Sequence, residues 1–231
     1  MKIKPLSPVF AARLTSKLRN MISKDFRYKI LVDMVKEDID SIIVLGNGNV
    51  DDMAIPIVCY HLNGNRIVGI TKPDGKKRLN ALNEFPKYIS GSKIDKIALV
   101  MDQEGENLAG IFKQAEHKLR DQNIGFELTK NDSRFKLYQC KYGSRTFDFI
   151  LIINGLDDIS TETHKVEDHL VKAALELSKI SNSNLQDSKE TWNSSFDASI
   201  QNEILNKLVD SESLSSEVFP QHFDGLRLLE E

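Results

Sequence analysis

The chain has 231 residues, 40% of them hydrophobic and 28% charged, with a formal net charge of −3. This is the composition of a globular protein with room for one large domain and appendages. It excludes a chain-wide basic field for nucleic acid, though not a local basic patch. No stretch approaches a membrane span and the start "MKIKPLSPVFAARLTSK" has no apolar signal core, so the expectation is a cytoplasmic protein without membrane contact.

Residues 8–38 space apolar side chains as a helix would (Val9, Leu14, Leu18, Met21, Ile22, then Ile30, Leu31, Met34, Val35), with Arg13, Lys17, Arg19, Lys24, Arg27 and Lys29 between them. The spacing predicts one or two amphipathic helices. About 40 residues with a single apolar stripe cannot enclose a core, so residues 1–40 are expected to pack on the domain that begins at Ser41. Their basic face reads as solvated surface more readily than as a nucleic-acid contact.

From Ser41 the pattern changes. "SIIVLG" is an apolar run closed by a turn, "VDDMAIPIVCYHLNG" is helical if Pro56 lies in its first turn or two, and "NRIVGITKP" is a second strand. "GKKRLNALNEFPKYIS" has helical spacing, "KIDKIALVM" is a third strand and "NLAGIFKQAEHKLRDQ" a third helix. This alternation predicts an α/β fold: a mainly parallel central sheet containing 41–46, 66–71 and 94–101, with helices on both faces. After Gly125, "FELTKND", "FKLYQCKYG" and "RTFDFILIIN" read as strands added antiparallel at one edge. "THKVEDHLVKAALELSKI" is a helix with Val166, Leu170, Ala173, Ala174 and Leu177 on one face. Residues 181–195 are polar and read as a linker, and 181–231 as a whole as a loop and tail, with one short helix around "ASIQNEILNKLVD" before an acidic end.

Ligands of open α/β sheets bind beyond the carboxyl ends of the strands. Three expected strands end there in acidic stretches: "GNGNVDD", "DQEGE" and "INGLDD". In an extended chain Asp102, Glu104 and Glu106 would share one face, and carboxylates so crowded need water or a cation between them. The choice is a solvated loop or a divalent-metal site. Oxygen ligands without a Cys/His cluster favour Mg²⁺ or Mn²⁺. Cys59 and Cys140 form no CxxC pair and read as buried thiols.

Each candidate has a plain alternative. Asp102 could end its strand as a solvated turn or a cap, Glu104 could be a solvated charge, and Glu106 is expected to face solvent. Asp51 and Asp52 could cap the helix they begin, and Glu167 and Asp168 could be helix surface charge. His164 and His169, five apart, do not share a helical face. "GNGN" could cradle a phosphate but lacks the lysine of a P-loop.

Over roughly residues 41–180 the order of elements resembles the Toprim domain, the metal-binding α/β module of topoisomerases, primases and overcoming-lysogenization-defect (OLD) nucleases. Small stand-alone Toprim-like proteins are the nearer likeness. The matching residues are Val44, Leu45 and Gly46 with Asp51 and Asp52, then Asp102, Gln103 and Glu104, then Glu167 and Asp168. The resemblance implies metal ligation by Asp102, Glu104, Glu167 and Asp168, with Asp51 or Asp52 standing in for a catalytic carboxylate. It also implies action on nucleic-acid phosphodiesters and leaves a homo-oligomer open. Two positions depart from the pattern: Leu45 stands where the family has a glutamate, and Glu104 where it has a second aspartate. Leu45 raises the alternative of a catalytically degenerate fold serving as a binding or regulatory module.

Overall fold

The computed structural model describes residues 1–32, 39–46, 50–62, 64, 66–91, 93–181, 185 and 187–231. The expectations for Met34 and Val35, and for a phosphate-cradling turn at Asn47–Asn49, lie outside the described residues. The chain runs β1 (Lys2–Pro5), α1 (Pro8–Met21), α2 (Lys24–Ile30), β2 (Ser41–Leu45), α3 (Asp51–His61), β3 (Ile67–Thr71), a 3-10 helix (Arg78–Glu84) and α4 (Phe85–Gly91). It continues with β4 (Lys96–Asp102), α5 (Leu108–Asp121), β5 (Gly125–Asn131), β6 (Phe135–Tyr142), β7 (Arg145–Asn154) and α6 (Val166–Glu176). Four short helices complete it: α7 (Ser188–Ser194), α8 (Ala198–Asp210), α9 (Glu212–Val218) and α10 (Pro220–Arg227).

The strands form one sheet of order β1-β3-β2-β4-β7-β6-β5. The pairs from β1 through β7 are parallel, while β6 and β5 add antiparallel. Alternate residues of the central strands enter separate cores, as the two-residue period of a strand requires. Ile43, Leu45, Ala98, Val100, Ile150 and Ile152 pack with α1, α3, α6 and α8. Ile42, Val44, Ile97, Leu99, Met101 and Ile153 pack with α4 and α5 on the other side. Both faces being covered, these strands read as unbroken apolar runs, and each fully buried side chain contributes about 1.5–3 kcal/mol.

Four expectations change. β1 is not among the expected strands, because its "KIKP" holds only one fully buried side chain, Ile3. It lies at the sheet edge, where Pro5 is tolerated, and Leu31 bridges to Ile3 from its outer side. β7 is a central strand parallel to β4 rather than an edge addition. The expected helix over 75–90 is a 3-10 helix followed by a single α-helix, because Pro86 has no N–H with which to continue an α-helical ladder. The expected linker contains α7, and the acidic end contains α9 and α10, which bury Val218, Phe219, Phe223 and Leu226. The core beneath the sheet takes side chains from Met1 through Leu229, so residues 1–40, 41–180 and 181–231 share it.

Candidate acidic site at the carboxyl edge of the sheet

Asp102 ends β4 and lies in register with Asn154, the last residue of β7. Parallel pairing therefore sets the two side chains beside each other at the carboxyl edge. α3 begins at Asp51, also on this edge. Asn154 Nδ2 donates to Asp51 Oδ1 (2.9 Å) and to Asp102 Oδ1 (2.8 Å). The amide does between these carboxylates what a cation would do more strongly. Asp102 Oδ1 also accepts the N–H of Val166 (3.0 Å), the first residue of α6, so the positive end of that helix faces the carboxylate.

Asn154 is held in turn from below. His222 Nε2 donates to Asn154 Oδ1 (2.7 Å), which turns the NH₂ toward the acids. Both side chains are fully buried. Burial first, then the neighbouring His169 and Arg134, lower the His222 pKa well below the usual imidazole range and keep it neutral. His169 is fixed likewise: its Nδ1 donates to the Val218 carbonyl and its Nε2 accepts from Gly155 N (3.1 Å). Burial lowers its pKa to about 3. His222→Leu is expected to cost about 1–3 kcal/mol by leaving Asn154 Oδ1 buried without its donor, and His222→Gln, which can still donate, to cost less. Urea midpoints of the two variants measure this; equal losses would mean the bond to Asn154 carries nothing.

The carboxyl groups repel one another. Burial pushes the Asp51 carboxyl well above its ordinary range, and Asp102, then Glu167, raise it further against the Asn154 hydrogen bond and Lys72. Burial raises Glu167 too, with Asp102 adding to the shift. Asp51 Oδ2 is buried with no hydrogen-bond partner. Asp52, the next residue, faces a different environment: Lys17 lies 3.1 Å, Arg13 3.2 Å and Lys72 3.4 Å from its oxygens, and it is fully buried. Neither aspartate accepts a capping bond, and Val50 is the N-cap of α3.

The acids after β4 do not share one face. The chain stops being extended at Asp102, and Glu104 has φ of 57°. Its backbone pairs with His164 (2.8 and 3.1 Å), while its half-exposed side chain lies 3.6 Å from Arg78. Glu106 is ion-paired with the same Arg78. The guanidinium thus gathers the two glutamates that the spacing had grouped with Asp102. Glu167 and Asp168 also part, since neighbouring helical residues point in different directions. Glu167 lines the cleft above Asp102. Asp168 is fully buried and accepts from His164 Nδ1 (2.7 Å) and Leu156 N (3.2 Å), which makes it a brace of the loop between β7 and α6.

That cleft, of about 420 Å³, opens at the strand ends and is lined by Leu45, Asp102, Glu104 and Glu167 together with Arg13, Lys72, Lys76, Lys77, Lys165 and Lys189. Leu45 contributes a fully buried apolar side chain at the end of β2. Among the described residues, no three His, Cys, Asp or Glu side chains are already arranged to hold a metal ion. The donor chemistry fits one nonetheless: hard oxygens of Asp51, Asp102 and Glu167, one of them an orphan, with Asp51 and Glu167 raised by burial and then by the neighbouring acids, a repulsion that a cation would relieve. Asn154, His222 and the cations around Asp52 were not found from sequence. For Asn154 the signal was its place at a strand end, in "INGLDD". His222 offered none, being 68 residues from its partner.

No family model, no curated protein and no solved structure matches the chain. Fold and site define an α/β protein with a mostly parallel seven-stranded sheet whose carboxyl edge carries buried, mutually repelling acids under a lysine-walled cleft.

Proposed function

We propose that this is a Toprim-like protein that takes Mg²⁺ or Mn²⁺ on Asp51, Asp102 and Glu167 and acts on nucleic-acid phosphodiesters in the cleft. The carrying observation is Asp51: a fully buried carboxyl with one unpartnered oxygen, raised by burial and then by two other acids at the same sheet edge. Buried polar atoms are mostly hydrogen-bonded, and an orphaned oxygen among repelling acids is where a cation would complete the set. A bound cation supplies charge neutralisation on phosphoryl oxygens. The chain's own residues do the rest. Asn154 and the α6 N-terminus fix Asp102, Lys72 balances Asp52, and the lysine walls receive phosphate oxygens. Glu104 and Asp168 leave the ligand set, because Arg78 holds the first and His164 the second.

Leu45 supports a second reading, a binding or regulatory module without turnover, because leucine can neither take a proton nor hold a cation. Asp102→Asn separates the possibilities for the metal. Asn can accept the same two hydrogen bonds at Oδ1, so the fold should persist. The melting temperature of wild type should rise with added Mn²⁺ while that of the variant stays put, at roughly 2–4 °C per kcal/mol of binding linkage. Equal responses would remove the metal assignment. Cleavage of DNA or RNA in Mn²⁺ by a protein that shows the shift favours the enzyme, and binding without cleavage favours the module.

A further inference from the structure

The acids explain the floor of the cleft but not its walls. Six cations line it, in a protein whose formal net charge is −3. Arg13 and Lys72 are paired with Asp52, Lys76 with Glu84 and Lys165 with Asp187, while Lys77 and Lys189 make no ion pair among the described residues and are the ones left for a ligand. The six come from separate parts of the chain. Arg13 is on α1, Lys72, Lys76 and Lys77 follow β3, Lys165 precedes α6, and Lys189 lies in α7. Convergence of cations from elements so far apart in sequence is a property of the fold and not of one lysine-rich run.

We infer that the cleft grips a single nucleic-acid strand by its phosphates and does not read the bases, an assignment that rests on the nucleic-acid reading above. Three observations carry it. At about 420 Å³ the cleft lies toward the lower end of the small-ligand range of about 300–1,000 Å³, enough for a nucleotide unit and too little to enclose paired strands. Bases are read by aromatic stacking or by amide and arginine contacts to their edges. Among the described residues the lining has no aromatic, Asn or Gln, and its one arginine, Arg13, lies 3.2 Å from Asp52. Lysine ammonium groups are point charges that suit phosphate oxygens without imposing base geometry.

The test is fluorescence anisotropy of labelled eight-nucleotide DNA strands of thymidine, adenosine or cytidine with the full chain, in Mn²⁺ and separately in EDTA, with tripolyphosphate as a base-free competitor. The three strands should bind within about threefold of one another, weaken steeply with salt, and be displaced by tripolyphosphate. A duplex of the same length should bind at least about tenfold more weakly. The double substitution Lys77→Ala with Lys189→Ala should lower strand affinity about tenfold or more at an unchanged melting temperature. A preference above about tenfold for one base, equal affinity for duplex, or tripolyphosphate binding without strand binding would overturn the inference. Strand binding that is the same in EDTA and unaccompanied by any Mn²⁺ response keeps the inference and removes the metal reading. A Mn²⁺ response without strand binding does the reverse.

Discussion

Asn154→Asp is expected to destabilise the protein by about 3–5 kcal/mol at neutral pH, the scale on which an uncompensated buried charge acts. The change is nearly isosteric. It replaces the NH₂ that donates to Asp51 and Asp102 with a third carboxylate oxygen. The loss should shrink on acidification. Burial, with repulsion among the acids, holds the folded pKa of Asp51 and of Glu167 above the ordinary carboxylate value. Such groups bind more protons folded than unfolded, so their contribution to stability falls as pH rises from the ordinary value through the raised one. Wild type should therefore gain stability from these two groups as pH falls through that window, and the variant should gain more steeply. Urea midpoints at pH 7 and pH 5 measure both. A variant that matches wild type at both values would show that the amide does not separate charged neighbours.

Trp192→Ala should cost about 3–5 kcal/mol, the range for truncating a buried aromatic. The residue lies in a stretch of polar letters, "DSKETWNSS", where a surface loop would lose less than about 0.5 kcal/mol. Trp192 is almost fully buried, its ring lies 5.7 Å from that of Phe196, and its carbonyl accepts from Gln201 Nε2 at 2.8 Å. Asp187 caps the same helix by accepting from the N–H groups of Lys189 and Glu190. Loosening α7 should also displace Lys189 from the cleft wall. Circular dichroism in urea is the suitable measurement, since the substitution removes the chain's single tryptophan. A midpoint within error of wild type would mean that α7 contributes nothing to the core.

The central strands were legible because burial on both faces leaves no choice of residue type. β2, β3 and β4 are apolar nearly throughout, and the acids that come after β2, β4 and β7 mark the edge where the site lies. α7 was illegible because its burial rests on Ser188, Thr191 and Trp192, two of which are polar and give no hydrophobic period. The role of each acid was less legible still. Spacing assumed that the chain stays extended past Asp102, whereas the positive φ of Glu104 turns it and hands two glutamates to Arg78. Asp51 and Asp52 are adjacent in sequence yet one faces acids and the other cations, a difference made by α1 and the segment after β3. The hydrogen bond of His222 to Asn154 depends on α10 lying against β7, a contact that no local pattern encodes.

The two rims of the sheet bear on how copies of the molecule behave at high concentration. A bare strand edge is a template on which another chain can add and aggregation can begin. On one rim β1 is only four residues long, ends in a proline, and gives its Ile3 carbonyl to Val32 N at 3.0 Å. On the other, β5 is interrupted by an irregularity between Leu128 and Lys130, so its outward groups do not form an even row. Leu128 is partly exposed there, but a charged lysine comes two residues later. Strand addition from a second copy meets a short edge already bonded at Ile3 on one side and a broken register on the other.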